Sequence, residues 1–189
     1  MLILRHGESE WNALGKWQGQ ANPPLTIKGQ NQAKIAASNL NDTFDLIAAS
    51  DLTRATETAR IIANHQLKTD VSLHSELRER AAGPWEGLTR NEIEIKYPGA
   101  ISKRLWPAGY EHDETVLQRV LPILHHFASL HEKILVVAHG GLIRALDRSL
   151  GAPDLPIPNL GGRWYQIGAS VTYGEHINLV SANAEINVE

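Results

Sequence analysis

Three short apolar runs without helical periodicity are the feature of this chain that most constrains its fold. They lie at Met1–Leu4, Leu46–Ala49 and Ile134–Ala138, and each ends at a polar or glycine-bearing turn. Short continuous apolar runs of this kind predict buried strands of a parallel sheet. Helical patterns lie between and after these runs, at Thr26–Leu40, Leu52–Asn64, Thr89–Lys96, Thr115–His131 and Leu142–Leu150. The alternation predicts an α/β fold with three layers, α/β/α, around a mostly parallel central sheet.

The remaining sequence predicts how these elements begin, end and connect. Thr26 and Thr89 are expected to be helix N-caps, and Thr89 forms a capping-box pattern with Glu92. Loops are predicted where Gly and Pro occur, at Gly15–Pro24, Arg80–Gly87, Tyr97–Asp113 and Pro153–Gly162. After Gly162, the sequence RWYQIGASVTYGEHINLVSANAEI predicts a final antiparallel pair of strands at an edge of the sheet. The length of 189 residues predicts one domain over residues 1–189.

Composition excludes several classes of protein. The formal net charge is -3, so the chain lacks the basic character typical of nucleic-acid binders. No apolar run approaches the roughly 20 residues that span a bilayer, and Arg5 follows the first apolar residues too closely for a secretory signal. The absence of cysteine excludes disulfides, thiolate metal sites and cysteine nucleophiles. We therefore expect a cytoplasmic protein, monomeric or homodimeric, with neither a nucleic-acid nor a membrane partner.

Two guanidiniums and two imidazoles follow the ends of the predicted strands. Arg5 and His6 follow the first strand, Arg54 follows the second, and His139 follows the third. Ligands of open α/β sheets bind beyond the carboxyl ends of the strands, so these side chains are expected to converge. Arginine binds phosphate oxygens bidentately, and a histidine among cations can attack phosphorus. The pattern therefore predicts a site for a phosphoryl group.

Ordinary structural explanations exist for the same residues. A single histidine after a strand can be a packing residue, and Arg54 can form a surface ion pair with Glu57, three residues further along a helix. Asn12 can cap a helix, and Gln18–Gly19 can form a turn. The ordered occurrence of all the charged groups favours the phosphate site.

Five segments resemble the successive motifs of the histidine phosphatase superfamily, whose fold is phosphoglycerate mutase-like. In chain order they are LRHGESEWN, PLTIKGQNQA, SDLTRATETA, LRERAAGPWEG and VVAHGGLIRAL. The resemblance covers about three-quarters of the chain, from Leu2 to about Leu150. It implies that His6 becomes phosphorylated and that Arg5, Arg54 and His139 form the phosphate pocket.

The resemblance also implies a proton donor and further substrate contacts. Glu79 matches the acid that protonates the leaving oxygen and later helps to activate water, with Glu76 and Glu86 as neighbouring alternatives. Asn12 matches a donor to the phosphate pocket. Further candidate contacts are Gln18, Gly19, Gly140 and, in the loop before the fourth helix, Trp106, Tyr110, Glu111 and His112. The family works without a metal ion, and the scattered histidines predict neither a metal site nor a cofactor.

Two departures from the mutases of this family favour a phosphatase. The segment Leu88–Lys133 is shorter than its mutase counterpart, and His139-Gly140-Gly141 replaces the usual His-Gly-Asn. We therefore predict a metal-independent phosphomonoesterase that acts through a phosphohistidine on a small phosphorylated metabolite, of phosphosugar or phosphoglycerate type, and releases inorganic phosphate. The alternatives are a phosphoglycerate mutase and a non-catalytic module that binds phosphate or a partner on the same fold.

The substrate itself is left open by the sequence. Asn22 stands where Asp is frequent in the family, and PAGYEH replaces the usual PGGES in a loop that faces the leaving group. The segment PNLGGRWYQI loosely resembles that of phosphatases acting on glucosylated phosphoglycerate.

Overall fold

A computed structural model describes residues 1–67 and 70–180. Its strands are β1 (Leu2–Arg5), β2 (Leu46–Ser50), β3 (Ser72–His74), β4 (Ile134–Ala138), β5 (Gly161–Ile167) and β6 (Val171–Asn178). Its α-helices are α1 (Glu10–Ala13), α2 (Ile27–Asn39), α3 (Thr53–His65), α4 (Arg90–Lys96), α5 (Asp113–Leu130) and α6 (Gly140–Ser149). Within these residues, no helix has both the length and the apolar character needed to cross a membrane.

The six strands form one mixed sheet in the order β3-β2-β4-β1-β5-β6. Strands β1 to β4 are parallel, and the β1–β4 register pairs Leu2 with Leu135 and Arg5 with Ala138. Strand β5 runs antiparallel to β1, and β6 runs antiparallel to β5. The predicted α/β fold, with a mostly parallel sheet and antiparallel edge strands, is confirmed.

Alternate residues of the central strands supply two separate cores. Ile3 and Val136 face a cluster that includes buried residues of α5 and α6. Leu2, Leu4 and Val137 face the opposite cluster, which includes buried residues of α2 and α3. Because side chains alternate across a strand with period 2, both faces of the sheet are covered and the fold has three layers.

A third, smaller cluster lies under the loops at the carboxyl ends of the strands. Trp85 is fully buried there, together with Ala82, Ile93 and Ala100. Partly buried residues packed against it are Trp17, Leu88, Ile101 and Trp106. Helix α4 and the turns that follow it are therefore a packed scaffold.

The sequence patterns predicted most element boundaries. Thr26 caps α2, and Thr89 caps α4 in the expected capping box with Glu92. Helix α1 and strand β3 were not predicted. The predicted terminal antiparallel pair is present as β5 and β6, but the last residues of the predicted segment, 181–186, lie outside the described residues. The expected single domain over 1–189 also includes 68–69 and 181–189, which lie outside them, and it stays a prediction.

Candidate active site

A cavity of about 800 Å³ opens beyond the carboxyl ends of β1, β2 and β4. Ten of the eleven residues predicted for the site line it: Arg5, His6, Asn12, Gln18, Gly19, Arg54, Glu79, Trp106, His112 and Gly140. The eleventh, His139, is fully buried, and its ring centroid lies 5.2 Å from that of His6. The sheet therefore brings the predicted site residues together.

The hydrogen bonds of His6 define its tautomer. The ring is buried, with Nδ1 lying 2.6 Å from the Gly7 carbonyl oxygen and Nε2 lying 3.1 Å from Nε of Arg54. Since a carbonyl can only accept and a guanidinium can only donate, we assign the proton to Nδ1 and a lone pair to Nε2. Burial, followed by the charges of Arg54 and Arg5, lowers the pKa of His6 well below its ordinary value. His6 is therefore neutral at pH 7, with its lone pair directed at a cation.

Arg54 is fully buried beside the nucleophile candidate. Its Nη1 donates to the Ala21 carbonyl at 2.7 Å and its Nη2 donates to the Gly19 carbonyl at 3.0 Å. Burial lowers its pKa to about 10, so it stays protonated at pH 7. Glu57 instead accepts from the backbone N–H of Leu25, and the alternative of a surface pair with Arg54 is wrong.

Arg5 and His139 complete the cationic and imidazole lining. Nη1 of Arg5 donates to the Ile157 carbonyl at 2.8 Å, which anchors the guanidinium against the loop before β5. His139 precedes α6, and neither of its ring nitrogens has a hydrogen-bond partner in the described part of the chain. Burial, followed by the charge of Arg54, lowers the pKa of His139 well below its ordinary value. A buried polar group without a partner is costly, so His139 is suited to a ligand oxygen.

Glu79 is held by two backbone amides. Its Oε1 accepts from the N–H of Arg80 and its Oε2 accepts from the N–H of Gly141, both at 2.8 Å. A Cβ at position 141 would lie 2.3 Å from Oε1, so only glycine fits against this carboxylate as it stands. The neighbouring alternatives, Glu76 and Glu86, do not line the cavity. Of the three predicted candidates for the proton donor, Glu79 is therefore the one that lines the cavity.

Two predicted amide side chains lie in one hydrogen-bonded group. Asn12 Oδ1 accepts from the Ser9 N–H at 3.2 Å, and Gln18 Oε1 accepts from the Ser9 hydroxyl at 2.7 Å. Asn12 therefore belongs to a capping box at α1, as its structural alternative required, and it also lines the cavity. With these oxygens occupied, the amide nitrogens of Asn12 and Gln18 are available to a ligand. Asn159 supports the group by donating to the His6 carbonyl at 2.9 Å and to Asn12 Oδ1 at 3.3 Å.

Aromatic residues form another wall of the cavity. Trp106 and Tyr110 are stacked, with ring centroids 4.4 Å apart and planes 7° apart. His112 contacts the edge of Tyr110 at a centroid distance of 5.6 Å. Glu111 does not line the cavity, because its carboxylate pairs with Arg119 at 2.7 Å. Three of the four predicted loop residues therefore face the ligand space.

Arg80 is a site residue that the sequence analysis did not identify. Its guanidinium donates to Asp113 Oδ1 at 2.6 Å, to the Gly141 carbonyl at 3.0 Å and to the Glu111 carbonyl at 3.2 Å. It thereby connects the Glu79 segment to the start of α5 and to the start of α6. Other lining residues that were not predicted are Lys16, Trp17, Ala82, Arg90, Ile101, Arg104, Asp113, Glu114, Gly141, Arg144, Arg148, Asp154, Pro156 and Ile157. Most lie on loops or exposed helix surfaces, where no spacing pattern marks them.

Within residues 1–67 and 70–180, no group of three or more His, Asp or Glu side chains could hold a metal ion.

The chain matches the profile of the histidine phosphatase superfamily (branch 1) over residues 1–168. It is 36% identical over 187 residues to a glucosyl-3-phosphoglycerate phosphatase of Mycolicibacterium vanbaalenii, covering 88% of this chain and 83% of that protein. It is 34% identical over 157 residues to a metal-independent phosphoserine phosphatase of Arabidopsis thaliana, covering 77% and 66%. It is also 32% identical over 166 residues to a 2,3-bisphosphoglycerate-dependent phosphoglycerate mutase of Bartonella henselae, covering 79% and 80%.

A solved structure has the same architecture. The mycobacterial glucosyl-3-phosphoglycerate phosphatase in complex with VO3 superimposes with a TM-score of 0.84 at 29% identity. The alignment covers 96% of this chain and 98% of that one.

Proposed function

This chain belongs to the histidine phosphatase superfamily (branch 1) and is a phosphoric monoester hydrolase, and from that premise we propose that His6 is its nucleophile. The observation that carries the proposal is the geometry of the buried His6 ring, whose Nδ1 lies 2.6 Å from the Gly7 carbonyl oxygen and whose Nε2 lies 3.1 Å from Nε of Arg54, so that Nε2 is assigned the lone pair. A histidine that attacks phosphorus needs that lone pair, and the nearby cations counter the charge of the phosphoryl oxygens.

The phosphoryl group binds between the two guanidiniums. Arg5 and Arg54 neutralise its two charges, while His139 and the amide nitrogens of Asn12 and Gln18 supply further donors. Backbone carbonyls hold both arginines in place before substrate arrives. Little reorganisation is therefore needed in the transition state.

In the first step, Nε2 of His6 attacks phosphorus and the bond from phosphorus to the ester oxygen breaks. The leaving oxygen takes a proton from the Glu79 carboxyl group, and the alcohol departs. The products of this step are phosphohistidine and ionised Glu79. Nδ1 of His6 keeps its proton, held by the Gly7 carbonyl.

In the second step, water attacks the phosphohistidine and gives a proton to Glu79. The bond between nitrogen and phosphorus breaks, its electron pair returns to Nε2, and inorganic phosphate leaves. Both residues then have their starting protonation states, so the cycle requires no other reactant.

We further propose a glucosylated phosphoglycerate, or a closely similar phosphorylated sugar acid, as the substrate. Two comparisons support it, since the sequence relative and the structural neighbour described above are both named for glucosyl-3-phosphoglycerate. The cavity of about 800 Å³ accommodates far more than a phosphoryl group. The cytoplasmic location and the monomeric or homodimeric state stay predictions from sequence.

The test of the proposed chemistry is acid–base analysis of the phosphoenzyme. The protein is mixed with phosphorus-labelled substrate in excess EDTA, quenched, and assayed for label that is stable to base and labile to acid, as phosphohistidine is. We expect labelled wild-type protein, phosphate release, and loss of both in His6→Asn. The matched control is His125→Asn, an exposed histidine on α5 that does not line the cavity.

Three outcomes would contradict the proposal. Phosphate release by His6→Asn at the wild-type rate would mean that another group attacks. Conversion of 3-phosphoglycerate to 2-phosphoglycerate without phosphate release would identify a mutase. Tight phosphate binding without turnover of any phosphomonoester would identify the non-catalytic module.

A further inference from the structure

Basic residues outnumber acidic residues in the lining of the cavity, although acidic residues outnumber basic ones in the whole chain. The chain has 18 Lys and Arg residues against 21 Asp and Glu residues. The cavity is lined by eight of the cations, namely Arg5, Lys16, Arg54, Arg80, Arg90, Arg104, Arg144 and Arg148. It is lined by only four of the carboxylates, namely Glu79, Asp113, Glu114 and Asp154. A phosphoryl group carries at most two negative charges, so the lining offers more positive charge than that group needs.

Most of these cations already have a defined role. Arg80 and Arg148 both pair with Asp113, at 2.6 and 2.7 Å. Arg144 is exposed and lies near Arg5, whose pKa is lowered by burial and, to a smaller extent, by the charge of Arg144. Lys16 lies over the ring of Trp11 at 5.9 Å.

Three lining guanidiniums have no side-chain partner within residues 1–67 and 70–180: that of Arg144, which lies near Arg5, and those of Arg90 and Arg104, which belong to another segment. Arg90 and Arg104 are both exposed and both line the cavity, and neither forms a hydrogen bond or an ion pair through its side chain with any residue in 1–67 or 70–180. Their segment is anchored, because Ile93 and Ala100 between them are buried in the third cluster. Two unpaired cations on a packed scaffold therefore face the ligand space.

The backbone of Arg104 is a second indication. Its φ is 55°, a left-handed conformation that is unfavourable for a residue with a Cβ. Its neighbour Lys103 has an ordinary φ and does not line the cavity. Glycine or asparagine is the ordinary residue in this conformation, and such backbone strain clusters at ligand sites.

The cavity wall that adjoins Arg104 is aromatic. The stacked pair Trp106 and Tyr110 begins two residues after Arg104 and presents apolar ring surface to the cavity. A ligand that spans from the phosphate pocket to Arg104 therefore carries a body with apolar faces and a second anionic group.

We propose that Arg104, assisted by Arg90, binds a carboxylate of the substrate at a second anion subsite. The proposal rests on the proposed function, because the phosphoryl group of the same molecule must occupy the pocket of Arg5 and Arg54. The substrate class is a phosphorylated hydroxy acid, free or glycosylated. A planar guanidinium matches a carboxylate with two parallel hydrogen bonds.

The test compares two substrates that differ in one group. 3-Phosphoglycerate carries a carboxylate where glycerol 3-phosphate carries a hydroxymethyl group, and the readout is the ratio of their kcat/KM values. We expect wild-type protein to prefer 3-phosphoglycerate, and Arg104→Met to reduce that preference by roughly 10- to 100-fold, as for loss of a hydrogen bond to a charged group. Lys103→Met is the matched control, since it removes an exposed cation from the same turn, and the ratio should stay at the wild-type value.

Several results would overturn the subsite. One is a wild-type protein that does not distinguish the two substrates, and another is an Arg104→Met protein that loses activity on both to the same extent. A third is an Arg104→Met protein that is inhibited less strongly by 2,3-bisphosphoglycerate but keeps the wild-type ratio of kcat/KM values for 3-phosphoglycerate and glycerol 3-phosphate. That result would assign the subsite to a second phosphate group.

A failure of the proposed function is distinguished by two further measurements. Hydrolysis of p-nitrophenyl phosphate by the wild-type protein reports the phosphatase chemistry without a carboxylate. If that activity is absent, the dissociation constants of the same two compounds still test the subsite, read from the fluorescence of Trp17 and Trp106, which line the cavity. Equal dissociation constants would overturn it, and tighter binding of 3-phosphoglycerate that depends on Arg104 would support it.

Discussion

At the scale of single residues, the contact between Gly141 and Glu79 decides where the acid lies. The Gly141 N–H donates to the carboxylate, and the absence of a side chain at this position allows the approach. Gly140, one residue earlier, contacts Arg5 instead, and a Cβ there would lie 3.3 Å from Arg5 Cδ. The two adjacent glycines therefore lie against two different groups of the proposed active site, Glu79 and Arg5.

We expect Gly141→Ala to displace the Glu79 carboxylate and to impair protonation of the leaving oxygen. Loss of a general acid costs about 10²- to 10⁴-fold in rate, and more for a poor leaving group than for a good one. Activity on glycerol 3-phosphate should therefore fall about 100-fold or more, while activity on p-nitrophenyl phosphate falls less than about tenfold. Steady-state kinetics on both substrates check this prediction. The matched control is Gly140→Ala, which should lose less activity, and should lose it to the same extent on glycerol 3-phosphate and on p-nitrophenyl phosphate. Equal losses in Gly141→Ala would remove Glu79 from the acid role.

Strand ends alone could predict the residues that directly follow strands, whereas loop residues such as Trp106 and His112 were predicted only through the family resemblance. His6 and His139 each follow an apolar run, so their convergence follows from the topology of a parallel sheet. Asn159 donates to the His6 carbonyl from 153 positions away, in a loop without periodicity. Arg104 is one of several exposed basic residues, and only the tertiary structure separates it from Lys103.

At the scale of elements, α5 contains an internal proline. Pro122 is exposed near the middle of Asp113–Leu130, where it cannot donate to the carbonyl of Gln118. The packing of the buried side chains Val116, Val120 and Leu124 against the sheet keeps the helix continuous across it.

Replacing Pro122 by alanine should stabilise the protein. The variant regains a helix hydrogen bond and loses the clash of the proline ring, and these gains outweigh the greater conformational freedom of its unfolded chain. The free energy of unfolding should therefore rise by about 1–2 kcal/mol. Urea unfolding followed by circular dichroism measures the free energy of unfolding. In contrast, Pro98→Ala, at an exposed loop position, should leave stability unchanged or lower it by up to about 1 kcal/mol. A Pro122→Ala protein less stable than wild type would mean that α5 is bent there for packing.

Element prediction succeeded where a capping residue marks the start of a helix, as at Thr89 and α4. It failed for β3, whose three residues include Ser72 and His74 and form no apolar run. It also failed for α1, which has four residues and no buried face. The position of β5 beside β1 depends on pairing across the sheet, which no local pattern encodes.

At the scale of the whole molecule, the two buried imidazoles make stability depend on pH. The pKa values of His6 and His139 are lowered in the folded state, mainly by burial. The unfolded chain therefore binds protons more readily below the ordinary histidine pKa of about 6.5. The stability contributed by keeping both rings neutral is complete above that pKa and is lost as pH falls towards the folded-state values.

We expect the free energy of unfolding to fall by up to about 3 kcal/mol between pH 7.5 and pH 5.5, from one extra proton per ring in the unfolded chain. Carboxylates contribute little between these two pH values, since their stabilising effect is lost at lower pH. For Asp113, burial raises the pKa, but hydrogen bonds from Arg148 and Arg80 outweigh it and lower the pKa to about 2. Urea unfolding at the two pH values measures the change, and His139→Gln should remove about half of it. An unchanged pH dependence in that variant would show that His139 is not neutral when folded.

The pairing of β1 with β4 has an evolutionary consequence. Arg5 lies beside Ala138, and the His6 N–H donates to the Ala138 carbonyl at 3.1 Å, so the sheet itself sets the spacing of the two imidazoles. Mutations that lengthen, shorten or recompose the loops over the cavity leave that spacing intact. Selection can therefore change which molecule enters the cavity without rebuilding the pair of imidazoles. We expect descendants of this scaffold to diverge in substrate specificity before they diverge in reaction chemistry.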